Sequence, residues 1–171
     1  MRTMRVLRLI VHGRTRNPVA VLGETDGDRC VPVFLRRPQA DAMALGPRGE
    51  ADVPLPQDVL LPVLRGLGHR VDGVEVTRLA AGVFSAVVVC DGGTRVPVLP
   101  SDALALAVRE ELPIGMAEEI LDEVGQPIEE VFPDGVAPPS EQAPPEKQLQ
   151  DMRDFLADAS PEDFADPPRP S

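Results

Sequence analysis

Two groups of three short apolar runs, each followed by segments with helical character, most strongly constrain how this chain folds. The runs of the first group are residues 4–12, 19–24 and 30–35, and those of the second are residues 71–79, 82–91 and 94–99. Valine, leucine and isoleucine dominate these runs, and turn sequences such as Asn17-Pro18 and Asp91-Gly92-Gly93 separate them. Runs of this length and composition, joined by tight turns, predict two antiparallel β-meanders.

Helices are predicted after each meander. Residues 38–45 and 56–67 follow the first, and residues 100–111 and 116–124 follow the second. Proline opens three of these segments, as suits a first helical position, and Pro62 predicts a kink or a shortened first turn. The order predicts an α+β fold: a mostly antiparallel sheet with helices packed on it, in two similar β-β-β-α-α halves, although no residue-level repeat links the halves.

The composition changes abruptly after Gly125, and ten of the remaining 46 residues are proline. We therefore predict a domain over residues 1–125, a proline-rich acidic disordered linker over 126–148 and an amphipathic helical segment with a tail over 149–171. The apolar positions on one face of that segment are Leu149, Met152, Phe155, Leu156 and Ala159. Two interpretations stay open: the segment docks on its own domain or dimer mate, or it recruits another protein.

Net charge divides the chain at the same place. The total of −11 separates into 14 − 17 = −3 over residues 1–125 and 3 − 11 = −8 over residues 126–171. Residues 1–48 hold nine arginines and four acidic residues, a local charge of +5. An acidic protein is not typical of nucleic-acid binders, but an arginine-rich end on a near-neutral domain leaves DNA or RNA open as a partner.

Several catalytic and targeting patterns are absent from the sequence. It has neither a GxxxxGK[ST] loop nor a GxGxxG loop, and its two histidines, His12 and His69, give little support to a Ser–His triad. We expect His69 beside a helix C-terminus. Cys30 and Cys90 lie 60 residues apart without a CxxC motif, which predicts buried thiols rather than a zinc site. With no apolar run near the ~20 residues of a membrane span and no signal-peptide pattern, we expect a cytoplasmic protein.

Three aspartates, Asp41, Asp58 and Asp102, lie in the first turn or two of predicted helices. Where such helix starts converge, carboxylates can hold a divalent cation such as Mg²⁺ or Mn²⁺ for phosphodiester hydrolysis. The helix dipole also favours acidic residues at these positions by about 0.3–1 kcal/mol each. A metal-binding role and a purely structural role therefore both stay open.

Four ordered blocks of the sequence resemble the bifunctional nuclease domain family. They are VPVFLRRPQADAMAL, LPQDVLLPVLRGLGHRVDGVEV, VFSAVVVCDGG and VPVLPSDALALAVREELPI, and MRDFLADASPEDF is similar to the acidic tail of bacterial members. The resemblance covers residues 5–124 and 149–164. It implies an α+β domain that dimerises, nuclease activity on DNA or RNA, and Pro100-Ser101-Asp102 as a family motif.

If the chain is active as a nuclease, we expect individual residues to have the following roles. Asp58 and Asp102, with Asp41 third, would be the catalytic carboxylates that bind a metal ion or orient water, with Mg²⁺ or Mn²⁺ as the cation. Arg36 and Arg37, in the arginine-rich end, would contact phosphate groups of the nucleic acid.

The chain departs from the family pattern at four polar positions. Gln39 stands in place of a glutamate, Gln57 of a histidine, and Pro97 and Leu99 of an aspartate and an arginine. Glutamine lacks the charge of a carboxylate, and leucine cannot grip a phosphate as a guanidinium does. Two hypotheses follow: a nuclease of weak or lost activity, or a non-catalytic, dimeric interaction or regulatory module that acts through its acidic tail and binds a protein through residues 149–164.

Overall fold

A computed structural model of the protein describes residues 1–11, 17–50, 54–133 and 135. The first half consists of β1 (Arg2–Val11), β2 (Pro18–Glu24), β3 (Arg29–Phe34) and α1 (Arg37–Ala44). A 3-10 turn (Pro56–Val59) and α2 (Leu60–Gly66) lead to the second half, which consists of β4 (Val71–Ala80), β5 (Val83–Cys90), β6 (Arg95–Val98) and α3 (Pro100–Arg109). The final described elements are β7 (Ile114–Met116), α4 (Glu118–Val124), β8 (Gln126–Pro127) and α5 (Ile128–Val131). None of these helices is long and apolar enough to cross a membrane.

The strands of the described residues form one eight-stranded sheet in the order β6-β5-β4-β7-β1-β2-β3-β8. Neighbouring strands are antiparallel, except that β4 and β7 are parallel. β7 lies between the first strands of the two meanders, because Ile114 pairs with Met4 of β1 and with Val74 of β4. The predicted α+β fold with a mostly antiparallel sheet is confirmed, and the two meanders extend outward on opposite sides of β7.

Helices α1 and α3 cover one face of this sheet with small and branched side chains. Helices α1 and α3 contact each other, and α3 also contacts β4 and β5. Leu104 of α3 is fully buried together with Leu22 and Val76 of the sheet. Burial of such a side chain contributes about 1.5–3 kcal/mol relative to exposure. This core fixes the positions of α1 and α3 relative to each other.

Helix α5 and the turn after it cover part of the opposite face of the sheet. Phe132 packs against Leu7 and Cys30 in a separate small cluster, and the guanidinium of Arg8 lies 5.2 Å from the centre of its ring. Cys30 and Cys90 are buried free thiols on β3 and β5, which confirms the prediction. Burial raises the pKa of the Cys30 thiol.

Local rules account for both ends of α2. Pro62 has no N–H to donate to the carbonyl of Asp58, so the regular helix cannot extend back to that residue. The residues before α2 form a 3-10 turn instead, which agrees with the predicted shortening of the first turn. At the other end, the N–H of His69 donates to the carbonyl of Leu64 at 2.8 Å. His69 therefore lies beside a helix C-terminus, as predicted.

The helix predicted over residues 116–124 begins later than expected. Met116 is the last residue of β7 and is fully buried, and α4 begins at Glu118. Three residues are too few to show an alternating pattern, and both strands that pair with β7 are distant in the sequence. The central strand of the sheet was therefore missed.

The fold also continues past Gly125, where the linker was predicted to begin. β8 pairs with β3 through Arg29 opposite Pro127 and Cys30 opposite Gln126, and Phe132 beyond it is buried. Proline is tolerated in an edge strand, so the proline content did not mark the end of the fold here. The rest of the predicted linker from residue 136 and the segment 149–171 lie outside the described residues, and so does His12.

Candidate functional site

Helices α1 and α3 begin side by side at an exposed arginine–aspartate pair. Nη2 of Arg36, the N-cap residue of α1, donates to Oδ1 of Asp102 in the first turn of α3 at 2.6 Å. Pro38 and Pro100 lie in the first turns of the two helices, where a missing N–H removes no helical hydrogen bond. The packing of α1 on α3 then brings the two helix starts together.

We call Arg36, Arg37, Leu99 and Asp102, which lie at the starts of α1 and α3, the helix-start surface. Leu99 is 53% exposed, and the side chains of Arg36 and Asp102 are 54% and 40% exposed. Arg37 is also exposed. The surface therefore presents guanidinium groups, one carboxylate and one apolar side chain to solvent.

Asp58 is in a different environment, because its side chain is completely buried in an ion pair. Nη2 of Arg109 donates to Oδ2 of Asp58 at 3.1 Å, and Nε of Arg109 lies 3.4 Å from Oδ1. The backbone N–H of Leu55 also donates to Oδ2 at 2.8 Å, and Nη1 of Arg109 donates to the carbonyl of Gly46 at 3.0 Å. These hydrogen bonds hold the end of α3 against the connection between the two halves.

Burial and pairing act in opposite directions on Asp58. Burial raises the pKa of its carboxyl, whereas the hydrogen bonds from Arg109 and from the Leu55 N–H, with the charge of Arg109, lower it. The lowering interactions prevail, so the pKa lies below its ordinary value. Asp58 is therefore held as a carboxylate by protein groups that already occupy both of its oxygens.

The three predicted carboxylates do not form a metal-binding group. Asp41 is exposed on α1, Asp102 pairs with Arg36, and Asp58 is buried against Arg109. Across residues 1–11, 17–50, 54–133 and 135, no three His, Cys, Asp or Glu side chains are arranged to hold a metal ion. The described residues therefore do not fit the divalent cation that the resemblance implies.

The positions that depart from the family pattern lie in four places: α1, the 3-10 turn, the edge strand β6 and the N-cap of α3. Gln39, in α1, is half-buried, and its side-chain oxygen is buried without a hydrogen bond among the described residues. Gln57 is half-buried in the 3-10 turn, and Pro97 is exposed on the edge strand β6. Ser101 is buried, although its two neighbours in the motif, Pro100 and Asp102, are partly exposed. Of these residues, only Asp102 is charged, and its side chain is 40% exposed.

A cleft of about 230 Å³ lies elsewhere, where β4 and β7 meet the start of β1. Its charged side chains are Arg2, Asp72 and Glu75, and each has an ion-pair partner: Glu118, Arg70 and Arg95 respectively. None of the predicted site residues lines it. The cleft is therefore not the site that the sequence predicted.

Arg109 and the Arg36–Asp102 pairing were not foreseen. Most residues of α3 are buried and apolar, so the sequence around Arg109 gives no sign of an ion pair. Its partner Asp58 is 51 positions away. Arg36 and Asp102 were each identified, but as a phosphate contact and a catalytic carboxylate, and they lie 66 positions apart. Pairs this distant leave no local pattern in a single sequence.

The fold and the paired helix starts define a two-meander α+β domain, and comparison with known proteins identifies its family. Residues 20–129 match the model described as bifunctional nuclease domain. Two uncharacterized proteins, from two strains of Mycobacterium tuberculosis, are each 32% identical over 165 residues, which covers 96% of this chain and 98% of the relative. The chain therefore belongs to the bifunctional nuclease domain family.

The family match and the site coincide. The matched range contains the whole helix-start surface as well as the buried Asp58–Arg109 pair. The match to the mycobacterial proteins leaves only about six residues of this chain outside it (171 − 165), so it extends into the predicted C-terminal segment. The names of these relatives assign them no activity.

Proposed function

We propose that this protein is a nuclease of its family, which binds DNA or RNA at the helix-start surface and hydrolyses phosphodiester bonds weakly. One observation supports this most strongly: Arg36 and Asp102 meet at the starts of α1 and α3 and are both about half exposed. A guanidinium group suits a phosphate, and an adjacent carboxylate suits a water molecule. The family match supports the reaction class.

In this proposal the residues have distinct roles. Arg36 and Arg37 hold the phosphate, and the Asp102 carboxylate orients the attacking water and accepts its proton. As the water oxygen bonds to phosphorus, the ester P–O bond breaks and the leaving oxygen takes a proton from solvent. Asp41, which is exposed on α1, is the second carboxylate of the proposal. Asp58 holds the scaffold and does not contact the substrate. The proposed reaction uses neither Mg²⁺ nor Mn²⁺, because the described carboxylates do not fit such an ion. A carboxylate that acts without a metal ion is a modest catalyst, so we expect slow turnover.

The test is cleavage of end-labelled single-stranded and duplex DNA and RNA by the full chain, with Mg²⁺, with Mn²⁺ and with a chelator. We expect Asp102→Asn to reduce the cleavage rate at least about tenfold, as loss of a general base does. Asp72→Asn is the matched control, because Asp72 is a similarly exposed aspartate paired with an arginine outside this surface. Equal rates in the two variants would reject the site, and no cleavage by the natural sequence would reject the activity.

A second candidate function is a non-catalytic interaction module. It is favoured by the engagement of Asp58 with Arg109, which leaves one of the two principal catalytic candidates unable to reach a substrate. Under this alternative, the protein forms a homodimer in the cytoplasm and its acidic segment, residues 149–164, binds a protein partner. Sedimentation of the full chain would measure its oligomeric state. Loss of a co-purifying partner on Phe155→Asp, with cleavage absent throughout, would favour this alternative over the nuclease.

A further inference from the structure

Helix α2 presents an apolar stripe to solvent. One side of the helix is already buried, because Leu61 is 3% exposed and packs into the core. Four apolar side chains on another side face water instead. They are Val59, Leu60, Val63 and Leu67, with exposed fractions of 51%, 41%, 49% and 70%, and we call them the α2 stripe. Single exposed apolar residues are common, but four neighbours on one short helix are typical of a surface that binds another apolar surface.

Val63 lies at the centre of the stripe. Residues four apart lie on the same face of a helix, so Val59, Val63 and Leu67 form one ridge. The N–H of Leu67 donates to the carbonyl of Val63 at 3.0 Å, which continues the helical geometry to the end of the ridge. Leu60 and Gly66 flank the ridge on opposite sides, each three residues from Val63. The space above Gly66 is open, because nothing beyond the local helix backbone lies within 4 Å of where a Cβ atom would stand.

The α2 stripe is complementary to itself. When two α2 helices pack antiparallel about a two-fold axis at Val63, positions equally far from Val63 in opposite directions face each other. Val59 of one copy then faces Leu67 of the other, and Leu60 enters the open space above Gly66. A two-fold interface requires a single patch that fits itself in this way. Ridges of residues four apart are also the ones by which helices most often pack.

The charges near the stripe favour a second copy of the chain over an acidic partner. Between residues 54 and 68 the only ionised side chains are Arg65 and Asp58, and Asp58 is buried against Arg109. Arg65 follows Val63 by two residues, which places it about 200° further round the helix. Two copies therefore bring no like charges together at the ridge. The acidic residues 149–164, by contrast, would meet no cation there.

We propose that α2 is the interface of a reversible homodimer, in which the α2 stripes of two copies pack antiparallel about a two-fold axis at Val63. Stable specific interfaces bury about 1,600 Å² in total, and a pair of two-turn helices buries less than that. The dimer therefore forms at micromolar or higher concentration. No residue of the stripe belongs to the helix-start surface, so this inference is independent of the proposed nuclease activity, and its failure would leave that proposal standing.

Sedimentation velocity of the full chain from about 1 to 300 μM tests the proposal, since this range covers the assembly of so small an interface. The natural sequence should change from monomer to dimer across the range. Val63→Glu should raise the dissociation constant at least about 100-fold, because two carboxylates then meet at the axis. Val83→Glu is the matched control and should dimerise as the natural sequence does, because Val83 is a 67% exposed valine in β5, outside α2.

A mixture of two variants tests the position of the axis. Val63→Glu and Val63→Lys should each stay monomeric, and their equimolar mixture should dimerise, because the two opposite charges then face each other. Under mild oxidation Val63→Cys should form an intermolecular disulfide and Val83→Cys should not. The natural thiols, Cys30 and Cys90, are buried and should contribute little background. Circular dichroism should show the natural fold in each variant, and Val59→Glu replaces any Val63 variant that fails this check.

Association that is lost in Val63→Glu, kept in Val83→Glu and restored in the mixture supports the proposal. Association that Val63→Glu leaves unchanged overturns it, and so does association that the mixture fails to restore. A natural chain that stays monomeric at 300 μM also overturns it. In that case, slow reaction of Val63→Cys with a maleimide would indicate that another part of the chain covers the stripe, and fast reaction that the stripe is free for a different protein.

Discussion

Among the described residues, two Asp–Arg pairs join α3 to earlier parts of the chain, and they differ chiefly in their access to water. In the pair Asp58–Arg109, the side chains are 0% and 1% exposed and the aspartate accepts a further backbone hydrogen bond. In the pair Arg36–Asp102, the side chains are 54% and 40% exposed and a single bond joins them. The same two residue types therefore stabilise the scaffold in one place and, in the proposed function, form a ligand surface in the other.

Desolvation explains the difference. Two charges taken out of water are stable only while they neutralise each other, so neither member of a buried pair can leave to bind a ligand. An exposed pair gains little from its own contact because water competes for both charges. Arg36 can therefore exchange its carboxylate partner for a phosphate, whereas Arg109 cannot.

Removal of one member of the buried pair should destabilise the protein most. We expect Arg109→Met to lower the free energy of unfolding by about 3–5 kcal/mol, because Asp58 is then a buried charge without a partner. Urea unfolding at pH 7 measures the change. The double variant Asp58→Leu/Arg109→Met should recover a large part of the loss, because no charge remains buried. A loss below about 1 kcal/mol for Arg109→Met would contradict the structural role of the pair.

The buried pair should also contribute to acid sensitivity, by a smaller amount. The pKa of Asp58 is lowered in the folded protein, so its stabilising contribution is present above the unfolded pKa of about 3.9 and is lost as the pH falls through the folded value. Urea unfolding from pH 6 to pH 2 should therefore show a steeper decline for the natural sequence than for Asp58→Leu/Arg109→Met. Glu24 and Asp91, whose pKa values are also lowered, are present in both proteins and cancel in the comparison. Parallel curves would count against the prediction.

The smallest change in stability is expected at the exposed pair. Arg36→Gln should alter the free energy of unfolding by no more than about 1 kcal/mol, because solvent-exposed ion pairs contribute between 0 and 1 kcal/mol. The same urea experiment at pH 7 measures it. A loss as large as that of Arg109→Met would mean that Arg36 holds the scaffold, and the contrast between the pairs would fail.

The sequence predicted the parts of the fold that local patterns determine. The six strands of the meanders have the β-branched composition and the turns that define such strands, and the starts of α1 and α3 carry proline where helices tolerate it. β7 was missed because its three residues show no period, and its place in the sheet depends on distant partners. For the same reason, the helix predicted over residues 116–124 wrongly included Met116, which is the last residue of β7.

The candidate site was predicted less completely than the fold, because its chemistry depends on pairing. Asp58 and Asp102 look alike in the sequence, since both are acidic residues near helix starts that follow a proline. Only the packing of α3 distinguishes them, by carrying Arg109 to Asp58 and Asp102 to Arg36. Burial decides whether a carboxylate is available, and burial of one residue among similar ones is a property of the assembled fold.

The contrast between the two pairs is tested most directly with the variant Arg36→Gln. The measurement is its affinity for a single-stranded oligonucleotide at several salt concentrations. Arg70→Gln is the matched control, because Arg70 is an exposed arginine that pairs with Asp72 outside the helix-start surface. If Arg36 contacts a phosphate, its loss should weaken binding and reduce the slope of log K against log salt concentration by about 0.7, with no change in Arg70→Gln. Equal slopes and equal affinities in the two variants would contradict the assignment of Arg36 and Asp102 as the ligand-binding pair.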